Sequence, residues 1–158
     1  MAYWLMKTEP DTFGIDDLAS RPEQTEPWDG IRNYQARNYM RDEMRVGDRV
    51  FFYHSNAKPP GIVGIAEIAS GAYPDPTQFD PDSKYFDSKS RRDDPRWLLV
   101  DVKLVRKWKR LLSLEEIKAN ADALDGFKLI ARGNRLSIFP VEAKHWRRVC
   151  KLAGEQPD

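Results

Sequence analysis

The chain is poor in the residues that build covalent or metal-held frameworks, with one cysteine and two histidines in 158 residues. Cys150 has no second cysteine to bridge to, and one thiol with two imidazoles does not furnish a structural zinc site. Long apolar runs are missing as well. The longest, such as Ile62 to Ile68, fall far short of the roughly 20 residues that span a bilayer, and the N-terminus lacks a charged-then-apolar signal pattern. These absences exclude a disulfide scaffold, a zinc module and a membrane anchor. They point to a protein of the cytoplasm, or of the nucleus in a eukaryote.

Net charge is nearly absent too, at +1, but the charges are segregated. Residues 1–30 hold two basic and seven acidic side chains, whereas Lys89 to Arg110 holds nine basic and three acidic. The second segment is a candidate anion-facing surface. What the chain does have is a soluble globular composition, 41% hydrophobic and 32% charged, with 5 Trp, 6 Tyr and 7 Phe. Its length suits one domain.

Strands are expected at Tyr3 to Met6, Arg49 to His54, Gly61 to Ile68, Trp97 to Val105 and Leu136 to Ile138. Helices are expected from Gln35 to Met44, with Ala36, Tyr39, Met40 and Met44 on one stripe, and after Pro140, with Trp146, Val149 and Ala153 inward. Ser113 and Glu116 have the spacing of a capping box and open a short helix ending near Ala119. A long loop, Ala72 to Pro95, is rich in Pro, Asp and Ser yet carries Tyr73, Phe79, Tyr85 and Phe86, which argues against disorder. Strands spread along the whole chain with few short helices predict an α+β fold with a mixed, strongly bent or barrel-like sheet.

Four polar stretches at strand ends could carry chemistry. Lys7 and Thr8 stand where the first strand stops. Trp28-Asp29-Gly30-Ile31-Arg32-Asn33-Tyr34-Gln35 puts a tryptophan before a turn, with Asn33 able to cap the next helix, to read the edge of a heterocycle, or both. Trp28 is expected to present an exposed stacking face. Ser55 and Asn56 end an apolar strand before a Pro-Pro-Gly turn, as ligand-binding groups or simply as turn residues. Arg132 and Arg135 flank a Gly-Asn turn able to aim guanidinium and N–H groups at an anion. With Arg106, Lys107, Lys109 and Arg110 they suggest a phosphate-tracking surface beside an aromatic pocket.

Catalytic patterns are weaker. There is no nucleophile elbow, Walker loop, His-Glu-x-x-His or dinucleotide-binding glycine motif. His54 and Ser55 would point to opposite faces of a strand and make no nucleophile-base pair. His145 is expected to be solvated and Cys150 inert. An enzyme acting on nucleic acid through a metal on Asp101 is one alternative, and a small-metabolite or protein-interaction module is another.

The blocks Tyr3 to Pro10, Trp28 to Asn38, Phe51 to Asn56, Pro60 to Ala66, Ala72 to Asp75, Pro95 to Trp97 with Val100 to Val102, and Gly133 to Ser137 together resemble the EVE domain family. The resemblance covers nearly the whole chain, as one domain over residues 1–154 with a tail at 155–158. It implies a PUA-like fold, a small bent β-barrel with flanking helices related to the YTH domains that read methylated adenine. It also implies a non-catalytic reader of modified bases, including modified cytosines in DNA; no cofactor or metal is expected, and the sequence leaves the oligomeric state open, with a monomer favoured. Carried over by motif, the base pocket would use Trp28, Asn33, Lys7, Thr8, Tyr53, Ser55 and Asn56. Thr8 stands where the family commonly has Ser, and Ala57 where related sequences often carry Cys, so no thiol chemistry transfers there.

Overall fold

The computed structural model describes residues 1–157. Its strands are β1 (Tyr3–Thr8), β2 (Thr25–Pro27), β3 (Arg49–His54), β4 (Gly61–Ile68), β5 (Tyr73–Pro74), β6 (Leu98–Leu99), β7 (Asp101–Ser113) and β8 (Ile138–Val141). Six of them form one mixed sheet in the order β2-β7-β4-β3-β1-β8, and β5 pairs with β6 apart from it. Only β1 and β3 run parallel; the other neighbours are antiparallel. The sheet curls into a half-barrel with a few short helices, as the sequence led us to expect.

Alternation along the strands makes both faces apolar. On one face Leu5, Phe51, Tyr53, Ile62 and Ile65 pack with Trp108 and with Trp146 and Val149 of α4 (Ala143–Ala153). On the other, Trp4, Met6, Val50, Phe52 and Val63 pack with Ile15 and Leu18 of α1 (Ile15–Ser20), with Ala36 of α2 (Tyr34–Asn38), and with Trp28. A sheet buried on both sides needs apolar residues at successive positions, and hence β4 reads as a continuous apolar run from Gly61 to Ala66 before Glu67. At Gly64 the β4 and β7 backbones approach so closely that a Cβ would lie 2.5 Å from the Arg106 carbonyl oxygen.

β3 and β4 have the expected bounds. Elsewhere tertiary contacts shift them. The expected strand from Trp97 to Val105 is broken before Asp101, because Leu98 and Leu99 pair with Tyr73 and Pro74 while the chain from Asp101 onward joins β4. β7 then continues to Ser113. The last strand begins at Ile138, so Arg135, Leu136 and Ser137 form the loop that enters it. The expected helix over Gln35 to Met44 is α2 followed by one wide turn from Tyr39 to Glu43, although its apolar stripe does face the sheet. Ser113 caps α3 (Leu114–Ala119) by accepting from the Glu116 N–H, but the Glu116 carboxylate is given to Arg110. His145, expected in solvent, is buried against the Asp125 carbonyl 2.8 Å away, with its ring tilted against Phe127.

Candidate functional site

A cleft of about 710 Å³ opens at the end of the sheet where β1 and β3 stop. The parallel β1/β3 pair places Lys7 beside Tyr53 and Thr8 beside His54, so both strands end at one rim, to which β1 contributes Lys7 and Thr8 and the turn after β3 contributes Ser55. Four chain segments complete the walls: Glu9, Thr12 and Phe13 after β1, Glu26 to Ile31 at and beyond the end of β2, Lys84 and Tyr85 of the long loop, and Arg135 and Ser137 before β8. Backbone hydrogen bonds lock the rim, from Ser55 N–H to the Thr8 carbonyl at 2.9 Å and from Lys7 N–H to the Ser137 carbonyl at 2.8 Å.

The wall made by residues 28–31 owes its position to one buried carboxylate. Asp75, fully buried, accepts from Gly30 N–H at 2.8 Å and from the Arg32 guanidinium at 3.1 Å, and also takes the Thr77 N–H and hydroxyl. Arg32 in turn donates twice to the Tyr85 carbonyl, at 3.0 and 2.8 Å, and once to Thr77. Gly30 has φ +84° and carries the Tyr85 ring where a Cβ would sit, 2.6 Å from it. Glycine is therefore required twice, by the left-handed backbone and by the ring pressed against it. The long loop is ordered for the same reason. Gln78, also buried, donates to the carbonyls of Asp75 and Trp97 and accepts from Trp97 N–H and the Ser90 hydroxyl.

Of the seven expected pocket residues, Lys7, Thr8, Trp28 and Ser55 line the cleft. Asn33 does not. It is exposed and caps α2, accepting from Ala36 N–H at 2.9 Å. Tyr53 points into the opposite core, because strand alternation sends it there with Phe51. Asn56 sits in the turn at φ +49° and donates to Glu9. Trp28 is only 7% exposed, gripped edge-on by Phe13 and Phe52, so it forms the cleft floor and is not an open stacking platform. The Thr8 hydroxyl is committed to the Phe13 carbonyl at 2.8 Å. Phe13, Asp29, Lys84 and Tyr85 were missed as wall residues, though Asp29 lay inside the distinctive motif and Tyr85 among the loop aromatics.

The expected phosphate surface divides in two. Lys107 pairs with Asp16 at 2.7 Å, Arg110 with Glu116 at 3.0 Å, and Arg106 with Glu155 at 3.5 Å. Arg106 also donates to Gln156 and the Lys109 N–H to Glu155, so residues 155 and 156 are docked along β7. Acidic groups from other segments thus neutralise Arg106, Lys107 and Arg110, whereas the side chains of Lys103 and Lys109 stand exposed without an ion pair among the described residues. Arg135 is different. It lines the cleft with Lys7 and Lys84, and none of the three has a carboxylate partner among the described residues. Arg132 stands exposed three residues away in the Gly-Asn turn. Burial holds the Lys7 ammonium below the usual lysine range, with the Tyr53 and Phe139 rings 5.7 and 5.8 Å from Nζ.

Asp101 accepts the Tyr73 hydroxyl at 2.5 Å. No group of three or more His, Cys, Asp and Glu side chains among the described residues converges as a metal would need. The cleft accordingly supplies aromatic surface, hydroxyls, three cations and one unpaired carboxylate, a set suited to holding a planar polar ligand with anionic flanks.

The EVE domain family's sequence pattern matches residues 2–152. The chain belongs to the EVE domain family. This EVE domain is 42% identical to human thymocyte nuclear protein 1 over 172 aligned positions, covering 99% of this chain and 76% of the human one. A crystal structure of the human protein in complex with DNA containing 5-methylcytosine superposes with a TM-score of 0.93 at 41% identity, covering 99% of this chain and all of that one. A crystal structure of a Pseudomonas putida protein superposes at 0.90 with 47% identity, over 96% of this chain and 99% of that one. No helix among the described residues is long and apolar enough to cross a membrane.

Proposed function

We propose that this EVE domain is a non-catalytic reader of a modified base in nucleic acid, with 5-methylcytosine in DNA as the favoured ligand. One base leaves the stack and enters the cleft over Trp28, between Phe13 and Tyr85, while Lys7, Lys84, Arg135 and Arg132 hold the flanking phosphates. The observation that carries this reading is the contrast in how the cations are used: Arg106, Lys107 and Arg110 on β7 are paired with the protein's own carboxylates, and Lys7, Lys84 and Arg135 converge unpaired on the aromatic cleft. The human relative's complex with methylated DNA supports the choice of base.

Binding requires no covalent step. Asp101, the carboxylate most open to a metal-dependent alternative, is bound to Tyr73 away from the cleft lining. A protein of this kind works wherever the polymer is, in the cytoplasm or a nucleus. Titration of fluorescent oligonucleotides differing in a single cytosine or 5-methylcytosine tests the reading. Tighter binding of the methylated strand supports it, and equal affinities overturn it.

A further inference from the structure

A reader that recognised only the methyl group at position 5 of a pyrimidine would face a difficulty, because thymine carries the same methyl and is present throughout DNA. The two bases differ at position 4, where cytosine has an amine that donates and thymine a carbonyl that accepts. At that position a group that accepts and cannot donate separates them. Hydroxyls do not qualify, since they rotate to serve either role, and Lys and Arg only donate. At position 4 the side chains of Ser55, Ser137, Thr12, Lys7, Lys84 and Arg135 therefore do not make the distinction.

Three carboxylates line the cleft: Glu9, Glu26 and Asp29. Glu9 accepts from the Asn56 amide at 3.3 Å, and Glu26 is paired with Arg21 at 2.8 Å. Asp29 has no side-chain partner among the described residues, and its backbone is fixed by its own N–H to the Pro27 carbonyl at 3.1 Å. It stands between the floor residue Trp28 and Gly30, whose N–H is anchored to buried Asp75. An unpaired carboxylate is thus held at the wall by a rigid turn.

We infer that Asp29 is the specificity-determining residue of the cleft, accepting a hydrogen bond from the exocyclic amine of the inserted base and rejecting bases that present a carbonyl there. The inference rests on the reader function proposed above and narrows its ligand class to amine-bearing bases, with 5-methylcytosine separated from thymine. The surroundings are consistent with an acceptor awaiting a donor. Although the residue stands exposed at the rim, partial burial raises its carboxyl above the usual range, the charges of Asp75 and Glu26 add to this, and Arg32 opposes it. An incoming amine relieves part of that cost.

The test compares oligonucleotides carrying 5-methylcytosine, cytosine or thymine at one position, bound to the wild-type chain, to Asp29→Asn and to Asp29→Ser, with melting of each variant recorded. The wild type is expected to prefer 5-methylcytosine over thymine by on the order of ten- to a hundredfold, the range of a single good base-edge contact. Both variants are expected to lose that preference by tightening on thymine relative to 5-methylcytosine, with the salt dependence unchanged. Retention of the full preference in either folded variant overturns the role of Asp29 and leaves the reader function standing. A wild type that shows no preference for 5-methylcytosine over either other base overturns both.

Discussion

Arg32 and Asp75 hold each other across 43 residues of chain, guanidinium to carboxylate at 3.1 Å, with the Asp75 side chain fully buried. This pair fastens the turn at Gly30 to the long loop and so sets the distance between two walls of the cleft. Removing one partner of a buried pair leaves the other uncompensated, at a cost of about 3–5 kcal/mol. Asp75→Ala is expected to lose stability at the lower end of that range in urea denaturation, because Arg32 keeps some access to water. Arg32→Lys is not expected to substitute, since one ammonium cannot reproduce a fork that also serves Tyr85 and Thr77.

The two aromatics of the cleft are expected to fail in different ways. Trp28 is core, so Trp28→Ala should cost about 3–5 kcal/mol of folding stability together with binding. Tyr85 is half-buried at the wall, and Tyr85→Ala should weaken oligonucleotide binding by about 1–3 kcal/mol, the worth of one base-aromatic stack. Paired denaturation and binding curves distinguish them. A Trp28→Ala chain as stable as the wild type would contradict the burial described here.

Salt dependence separates the two groups of cations. Each phosphate contact contributes nearly one unit to the slope of log affinity against log salt, so Arg135→Ala and Lys84→Ala should each flatten it by about one. Lys107→Ala and Arg110→Ala should leave it unchanged, because Asp16 and Glu116 already hold those side chains. An equal effect from all four would mean that the ion pairs open on binding.

His54 gives the fold an acid-sensitive point. Its ring nitrogen accepts from Ile15 N–H at 3.1 Å at the start of α1, a role only the neutral imidazole can fill. Burial holds its pKa below the usual 6.5 and nearby Lys107 reinforces this, while Asp16 and Asp17 oppose it. The unfolded chain then binds a proton that the folded chain does not, so stability rises with pH across that window. It is fully present above 6.5 and lost as pH falls through the folded value. His54→Gln should flatten this limb in denaturation measured between about pH 8 and pH 5.

Local signals were legible in the sequence and long-range ones were not. β3 and β4 could be bounded because apolar runs end at turn residues, and the caps at Asn33 and Ser113 follow from their own neighbours. The motif around Trp28 pointed to the end of the sheet where the cleft opens. It did not reveal that Trp28 lies against Phe13 and Phe52, or that Tyr85 from the long loop would press against Gly30, since neither follows from spacing. The pairing of the basic run on β7 was illegible for a related reason. Composition counts cations, and only the fold brings Asp16, Glu116 and Glu155 against them.

The cleft as the site of base recognition is tested most directly by nuclear magnetic resonance of the isotopically labelled chain, titrated with an oligonucleotide carrying one 5-methylcytosine. The account predicts that signals of Lys7, Thr8, the Trp28 indole, Asp29 and Ser137 shift most, with Arg106 to Arg110 little changed. Shifts centred on β7, with the cleft silent, would contradict it.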